Sequence, residues 1–580
     1  MILQALVHHY ESLVAQGAQI PPFGWGDGKV SYALCIDCDG TLKQVVCLKT
    51  QPQNGKRNSM IPQNMIIPAP VKRSSGVSSN FLCDNTAYFL GVDAKENPKR
   101  AKNCFQAAAK LHKELLANVD TPVAKALLAF FASWNPDDAA KNQQLQDYLE
   151  DMMNGANLVF RFNTDYVHED PQIRQAWDLH YANSQADTSM TCLVTGKTGS
   201  VESIHPAIKG VKDAQSMGAA LVSFNAPAFC SYGKEQNLNA PVSRYAAFAY
   251  TTALNHLLAD REHVFHIGDA TVVCWAENGE TAYQNLMDCF AFDAPSDYSE
   301  ADLIQLVKQL CAGQQVIFEN NRLNPDMKFY ILGLAPNAAR LSVRFFLQNS
   351  FGAFLQNILD HHNRMNIIRP SFDRFETLPL WKVLDETVNQ NSRNKSPIPN
   401  LSGQTLRAIL ENTQYPAQLL HAANLRIRAE RNITRGRAAI IKAYYLKNPN
   451  KDIPKEVLTV SLNPDSTNIP YTLGRLFSVL ETIQSSANPN INTTIKDRYF
   501  NSASATPAQV FPTLINLAQK HMKKLDGGLS AYYDKQMTQL LSNLGEAYPS
   551  HLSIPQQGAF QLGYYHQTQE RYIRKNKEEN

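Results

Sequence analysis

With 580 residues and a hydrophobic share of 44%, the chain is long enough to bury two or more cores, and it has no low-complexity tract, which excludes a wholly disordered protein. No apolar run reaches the roughly 18 residues of a spanning helix, the first residues lack the features of a secretory signal, and the 10 cysteines are too scattered for a disulfide scaffold. A cytoplasmic protein is expected. The net charge of +3 is unevenly spread: residues 361–580 hold 27 basic and 17 acidic residues, whereas residues 1–360 hold 28 and 35. The basic C-terminal end suits a polyanionic partner.

The opening MILQALVHHYESLV has the spacing of an amphipathic helix. KVSYALCID and TLKQVVCLK flank the turn Cys38–Asp39–Gly40 and predict a β-hairpin. A turn-rich loop follows, QPQNGKRNSMIPQNMIIPAPVKRSSG, and FLCDNTAYFLGV returns to strand character. Residues 98–155 switch to helical period in AKNCFQAAAKLHKELLANV and PVAKALLAFFASW. NLVFRFN and SMTCLVTG read as strands, then comes the loop Ser223–Ser243. SRYAAFAYTTALNHLLAD is a helix, ATVVCWAE a strand and DLIQLVKQLCAG a helix. MKFYILGLAPNAARLSVRFFLQNS reads as a strand, a turn, then a strand or helix. From about residue 376 helices dominate, punctuated by Pro and Gly. The expected fold class is α+β: a mixed α/β N-terminal body with a helical insert over residues 1–375, then an all-α helical bundle over 376–580.

No chemistry-bearing motif is complete. Thr195-Gly196-Lys197-Thr198-Gly199 has Thr191 where a phosphate loop needs glycine, so it reads as a turn. Cys35 and Cys38 have CxxC spacing without a second pair, and Cys192 with His205 is no better as a metal site. His263 with His266, and His361 with His362, read as structural histidines. No enzyme activity, cofactor or metal is therefore expected.

Two other features point to nucleic acid. From Thr41 to Cys83 there is no acid, yet Lys43, Lys49, Lys56, Arg57, Lys72 and Arg73 are present. In residues 421–447, seven basic residues face one acid, Glu430. Arg428, Arg431 and Arg435 fall at i, i+3 and i+7, one face of a helix whose apolar stripe is Leu425, Ala429 and Ile433, extended by Ile440, Ile441 and Tyr444. Guanidinium groups so arranged fork onto phosphates. Lys520, Lys523 and Lys524, with Arg571, Arg574 and Lys575, continue the basic character at two further helix ends, where they also suit the helix dipole. The loop Ser223–Ser243 combines amides, hydroxyls, aromatics and one lysine, a set compatible with a pocket or with a nucleic-acid contact.

Four stretches carry a resemblance: VKRSSGVSSNFLCDNTAYFLG at 71–91, CLVTGKTGSVESIHPAIKGVKDAQSMGAALVSFNAPAFCSYGKEQ at 192–236, YILGLAPNAARLSVRFF at 330–346 and FQLGYYHQ at 560–567. Over essentially its full length the chain resembles the large subunit of the type I-C CRISPR Cascade complex, the Csd family. The resemblance implies a non-catalytic, prokaryotic, cytoplasmic subunit at the foot of a crRNA-guided complex. It implies recognition of the protospacer-adjacent motif (PAM) on double-stranded DNA, help in duplex opening and R-loop formation, and recruitment of a helicase–nuclease in antiviral defence. Implied partners are crRNA, target DNA, a backbone repeat subunit, a crRNA-processing subunit and a small subunit made by internal translation. No membrane is implied.

Two loops supply groups suited to such readout. One holds Lys72, Arg73, Ser74 and Asn80. The other holds Asn225, Ser231, Tyr232, Gly233, Lys234, Gln236 and Asn237. Arg428, Arg431, Arg435, Lys520, Lys523 and Lys524 are the expected DNA-backbone contacts. The alternatives are a scaffold subunit without base readout and an unrecognised nuclease.

Overall fold

The computed structural model describes the chain except residues 52–59, 72, 74, 75, 95–97, 184–187, 394, 579 and 580, with residues 573–578 described as helix backbone alone. The chain divides into two compact units: Met1–Ala207 with Val222–His256, and Ile208–Leu221 with Leu257–Asn580.

In the first unit, the expected hairpin forms as strands Tyr32–Ile36 and Leu42–Cys47. Gly40 closes its turn at φ +82°, and a Cβ there would lie 2.3 Å from Phe130 N, so only glycine lets the turn pack on that helix. Tyr32–Ile36 also pairs in parallel with Asn157–Phe162, which pairs antiparallel with Cys83–Asn85. Parallel neighbours need a long crossover. The helical insert lies in that connection, with helices Pro98–Leu115 and Pro122–Ser133. Thr121 caps the second, its Oγ1 accepting from Ala124 N at 3.1 Å, and proline stands in the first turn. Phe89 and Phe130 both pack on Phe160 of the sheet, at ring separations of 4.8 and 5.2 Å.

Two expected strands are shorter than their apolar runs. FLCDNTAYFLGV yields only Cys83–Asn85, because the Asn85 side chain caps a short helix, Thr86–Phe89. SMTCLVTG yields Ser189–Thr191, beyond which Cys192 begins a turn.

The second unit carries an antiparallel sheet in the order Phe265–Ile267, Ala270–Ala276, Lys328–Asn337, Arg340–Ser350. The last two strands resolve the strand-or-helix ambiguity as a hairpin. From helix Leu380–Asp385 onward the chain forms the expected C-terminal helical region, and helix Phe351–Met365 precedes it. Sheet and helices share one core running from Val272 and Ile331 through Phe351 and Leu419 to Phe477 and Phe560. The expected boundary at 375/376 falls inside this unit, whose sheet and helical bundle share a continuous core.

A close helix crossing joins Ile469–Ala487 to Ile554–Glu578. A Cβ on Gly474 would stand 1.9 Å from Phe560 O, and one on Gly563 would stand 2.1 Å from Tyr471 O. FQLGYYHQ is built around this contact. Tyr564 donates to Glu481 Oε2 at 2.6 Å, Tyr565 donates to Ile368 O at 2.7 Å, the His566 ring bonds Tyr471 Oη at 2.9 Å, and Gln567 accepts from Arg475 Nε at 3.1 Å.

Candidate nucleic-acid interface

The acid-free window is organised by the acid that follows it. The Asp84 carboxylate, 2% exposed, takes both guanidinium arms of Arg73 and accepts from the backbone N–H of Asn80 at 2.8 Å and of Asn85 at 2.9 Å. Arg73 also donates from Nε to Ser78 O at 2.7 Å and lies 4.1 Å over the Tyr88 ring. Asn80 Oδ1 accepts from Val71 N at 3.0 Å. Arg73 and Asn80, expected as base readers, thus take part in folding the loop around the buried Asp84 carboxylate. Lys43 pairs with Asp37 at 3.3 Å, and Lys49 pairs with Asp151 while lying 5.0 Å over the Tyr32 ring. Lys43 and Arg73 thus pair with acids close to the ends of the window, and Lys49 with one brought from far along the chain. Lys56, Arg57, Lys72 and Ser74 lie outside the described residues.

The loop Ser223–Ser243 is different. Ser231, Tyr232, Gly233, Lys234 and Gln236 are all exposed, as is Asn225. Lys234 N donates to Ser231 O at 3.0 Å, closing a turn whose central residues Tyr232 and Gly233 have φ of 53° and 68°. Both central angles are positive, as in a type I′ turn. For tyrosine this conformation costs about 1–2 kcal/mol, and its ring, 98% exposed, gains no burial in return. Asn239 holds the turn in place: its Oδ1 accepts from Ser231 N, and its Nδ2 donates to Lys234 O and Gln236 O, all at 2.9 Å. Gln236 is also left-handed, at φ 46°. Asn237 requires correction. It is 2% exposed and donates to Ser203 O at 2.9 Å, so it anchors the loop from inside. Asn239, missed in the sequence, was signalled by the spacing of small polar residues around Gly233, since asparagine bonds readily to nearby backbone.

The basic segment 421–447 is not one helix. Ala417–Glu430 ends at Arg431, which adopts φ 51°, and Arg435–Lys447 begins anew behind the Thr434 cap. Arg428 and Arg431 are exposed, Arg428 donating to Gln557 Oε1 at 2.8 Å. Arg435 is 5% exposed and binds Asp373 Oδ2 at 3.1 Å, with Phe375 O and Glu376 O each at 2.6 Å. It is therefore a buried brace and not a phosphate contact. The proposed stripe also divides: Ile433 is buried, but Leu425 and Ala429 are exposed, and Leu419, Leu420, Ala423 and Ile427 make the buried face. The signal for the break was Asn432-Ile433-Thr434, a capping sequence inside a helical pattern. Lys520, Lys523 and Lys524 are exposed where Pro507–Met522 ends, and Lys524 donates to Asn488 Oδ1 at 3.2 Å. Arg574 and Lys575 stand in the helix described by backbone alone.

The remaining motifs resolve locally. Cys192 Sγ accepts from Ser243 N at 3.2 Å, Val194 N at 3.4 Å and Thr195 N at 3.5 Å. Burial raises its pKa, but the N–H groups of Ser243 and Thr195 outweigh that and bring it to about 7. His205 bonds Tyr250 Oη at 2.6 Å and His361 bonds Tyr415 Oη at 2.8 Å. His263 pairs with the buried Asp288, which raises its pKa against the effect of burial. Among the described residues, no group of three or more His, Cys, Asp or Glu could hold a metal ion, and no helix is long and apolar enough to cross a membrane.

A comparison with curated proteins finds no match. The family described as CRISPR-associated protein (Cas_Csd1) matches residues 6–572, nearly the whole chain and both compact units. That match and the resemblance carried by residues 71–91, 192–236, 330–346 and 560–567 agree: the chain belongs to the Cas_Csd1 family of CRISPR-associated proteins.

Proposed function

We propose that this protein is the non-catalytic large subunit of a type I-C RNA-guided surveillance complex, reading the adjacent motif on duplex DNA and helping to part the strands. The observation that carries the reading is the Ser231–Gln236 loop. An aromatic ring held fully in solvent by a strained, stapled turn is costly to a free protein and useful to one that wedges a base step. Lys234 and Gln236 stand on the same turn, with the charge and amide chemistry suited to phosphate and base edges. The exposed Arg428, Arg431, Lys520, Lys523 and Lys524 supply backbone contacts to a displaced strand. Guide pairing then reads the remaining sequence, and a separate helicase–nuclease cuts.

The test is duplex affinity of the assembled complex with Lys234→Ala and Gln236→Ala. Loss of about tenfold or more for motif-bearing DNA, with little change for DNA lacking the motif, is expected. Equal affinity for both duplexes in wild type and variants favours a scaffold subunit. Metal-dependent cleavage by the purified chain would favour a nuclease.

A further inference from the structure

A cavity of about 750 Å³ in the first unit lies apart from the residues assigned to DNA above. One wall is the turn that resembles a phosphate loop, contributing Lys197 and Thr198. The start of helix Arg244–Ala259 supplies Arg244 and Tyr245, and the N-terminal helix supplies Glu11. Cys192 fixes the first two walls together, since it accepts from the N–H of Thr195 on the turn and of Ser243 at the helix cap.

The chemistry of the walls is specific. The Arg244 guanidinium lies 4.6 Å from the Tyr181 ring centroid, a stacked plane of the kind on which a nucleobase settles. Tyr245 and Tyr181 both line the cavity and both pack on Phe23, at 5.6 and 5.1 Å, so the aromatic floor is held rigid. Lys197 and Thr198 offer an ammonium and a hydroxyl to a phosphate. Glu11, which accepts from Tyr245 Oη at 3.2 Å, is positioned to accept from a ribose hydroxyl or a base amino group. Arg244 also pairs with Glu202 at 3.9 Å, so Lys197 carries the charge offered to phosphate, a match for a single phosphate rather than a chain of three. The volume falls within the range of small-ligand pockets.

We infer that this cavity binds one nucleoside monophosphate unit, with the base on the Arg244–Tyr181 stack and the phosphate at Lys197 and Thr198. The unit could arrive as a free nucleotide or as the terminal residue of a single strand, and the two are separable. The test uses the full chain, titrated with AMP, CMP, GMP and UMP, with ATP, and with a 5′-phosphorylated single-stranded RNA octamer, read by saturation-transfer NMR and calorimetry. Saturable binding of a monophosphate, stronger than that of ATP and weakened about tenfold by Lys197→Ala with Thr198→Ala, is expected. If only the octamer binds, and the double variant weakens it, the ligand is a strand end. Because both substituted side chains are exposed, unchanged thermal stability verifies the fold. The inference is overturned if no probe binds, or if the double variant binds every probe as wild type does. Neither result bears on the Tyr232 loop, which the duplex experiment tests on its own.

Discussion

Buried imidazoles bear on the stability of this protein in acid. His112 donates from Nδ1 to Ala108 O at 2.8 Å and accepts at Nε2 from Leu82 N at 3.0 Å, an arrangement only the neutral ring can make. Burial pushes its pKa down to about 4, and does the same for His168 and His362. His566 falls to about 3 through burial and the nearby Lys442. In the unfolded chain these rings protonate near 6.5, so between that value and the folded pKa the unfolded state binds more protons. Their stabilising contribution is complete above pH 6.5 and is lost as pH falls below it. At pH 5 each such ring favours unfolding by about 2 kcal/mol. The thermal midpoint, followed by circular dichroism, should therefore drop from pH 7 to pH 5. A midpoint constant over that range would contradict the neutral-histidine assignment.

At the scale of elements, Gly474 and Gly563 set how closely two long helices approach. Replacing Gly563 with Val drives a side chain into the Tyr471 carbonyl and should cost about 1–3 kcal/mol or more in urea denaturation. Gly527, with nothing within 4 Å of its Cβ position, should accept Ala with a change of about 0.5 kcal/mol or less. If the two variants prove equally stable, the close crossing is not what holds the bundle. Periodicity made most elements legible in the sequence: the N-terminal hairpin and the insert helices form where their spacing placed them, and helices dominate the C-terminal region. What periodicity could not register was side-chain capture of the backbone. Asn85 turned a strand into a helix start, and Thr434 divided one basic helix into two.

At the scale of the whole molecule, charge counted along the chain is not charge displayed to a partner. Of the basic residues in 421–447, Arg435, Arg437 and Lys442 are buried, and Lys442 donates to Arg364 O at 2.9 Å and Asn366 O at 2.8 Å. Three cations of the acid-free window likewise pair with acids outside it: Asp37 and Asp84, close to its two ends, and Asp151, which only the fold brings near. The candidate interface was legible as a loop, through its turn formers and amides. Its inner logic was not, because burial decides that Asn237 anchors, Asn239 staples and Tyr232 is presented. In the proposed function this presented ring parts the duplex. The most direct measurement is 2-aminopurine fluorescence beside the adjacent motif in target DNA bound to the assembled complex, comparing wild type with Tyr232→Ala. A fluorescence rise is expected in wild type and should be reduced or delayed at least several-fold in the variant, at DNA concentrations that saturate both. An equal rise at equal rate in both would contradict it.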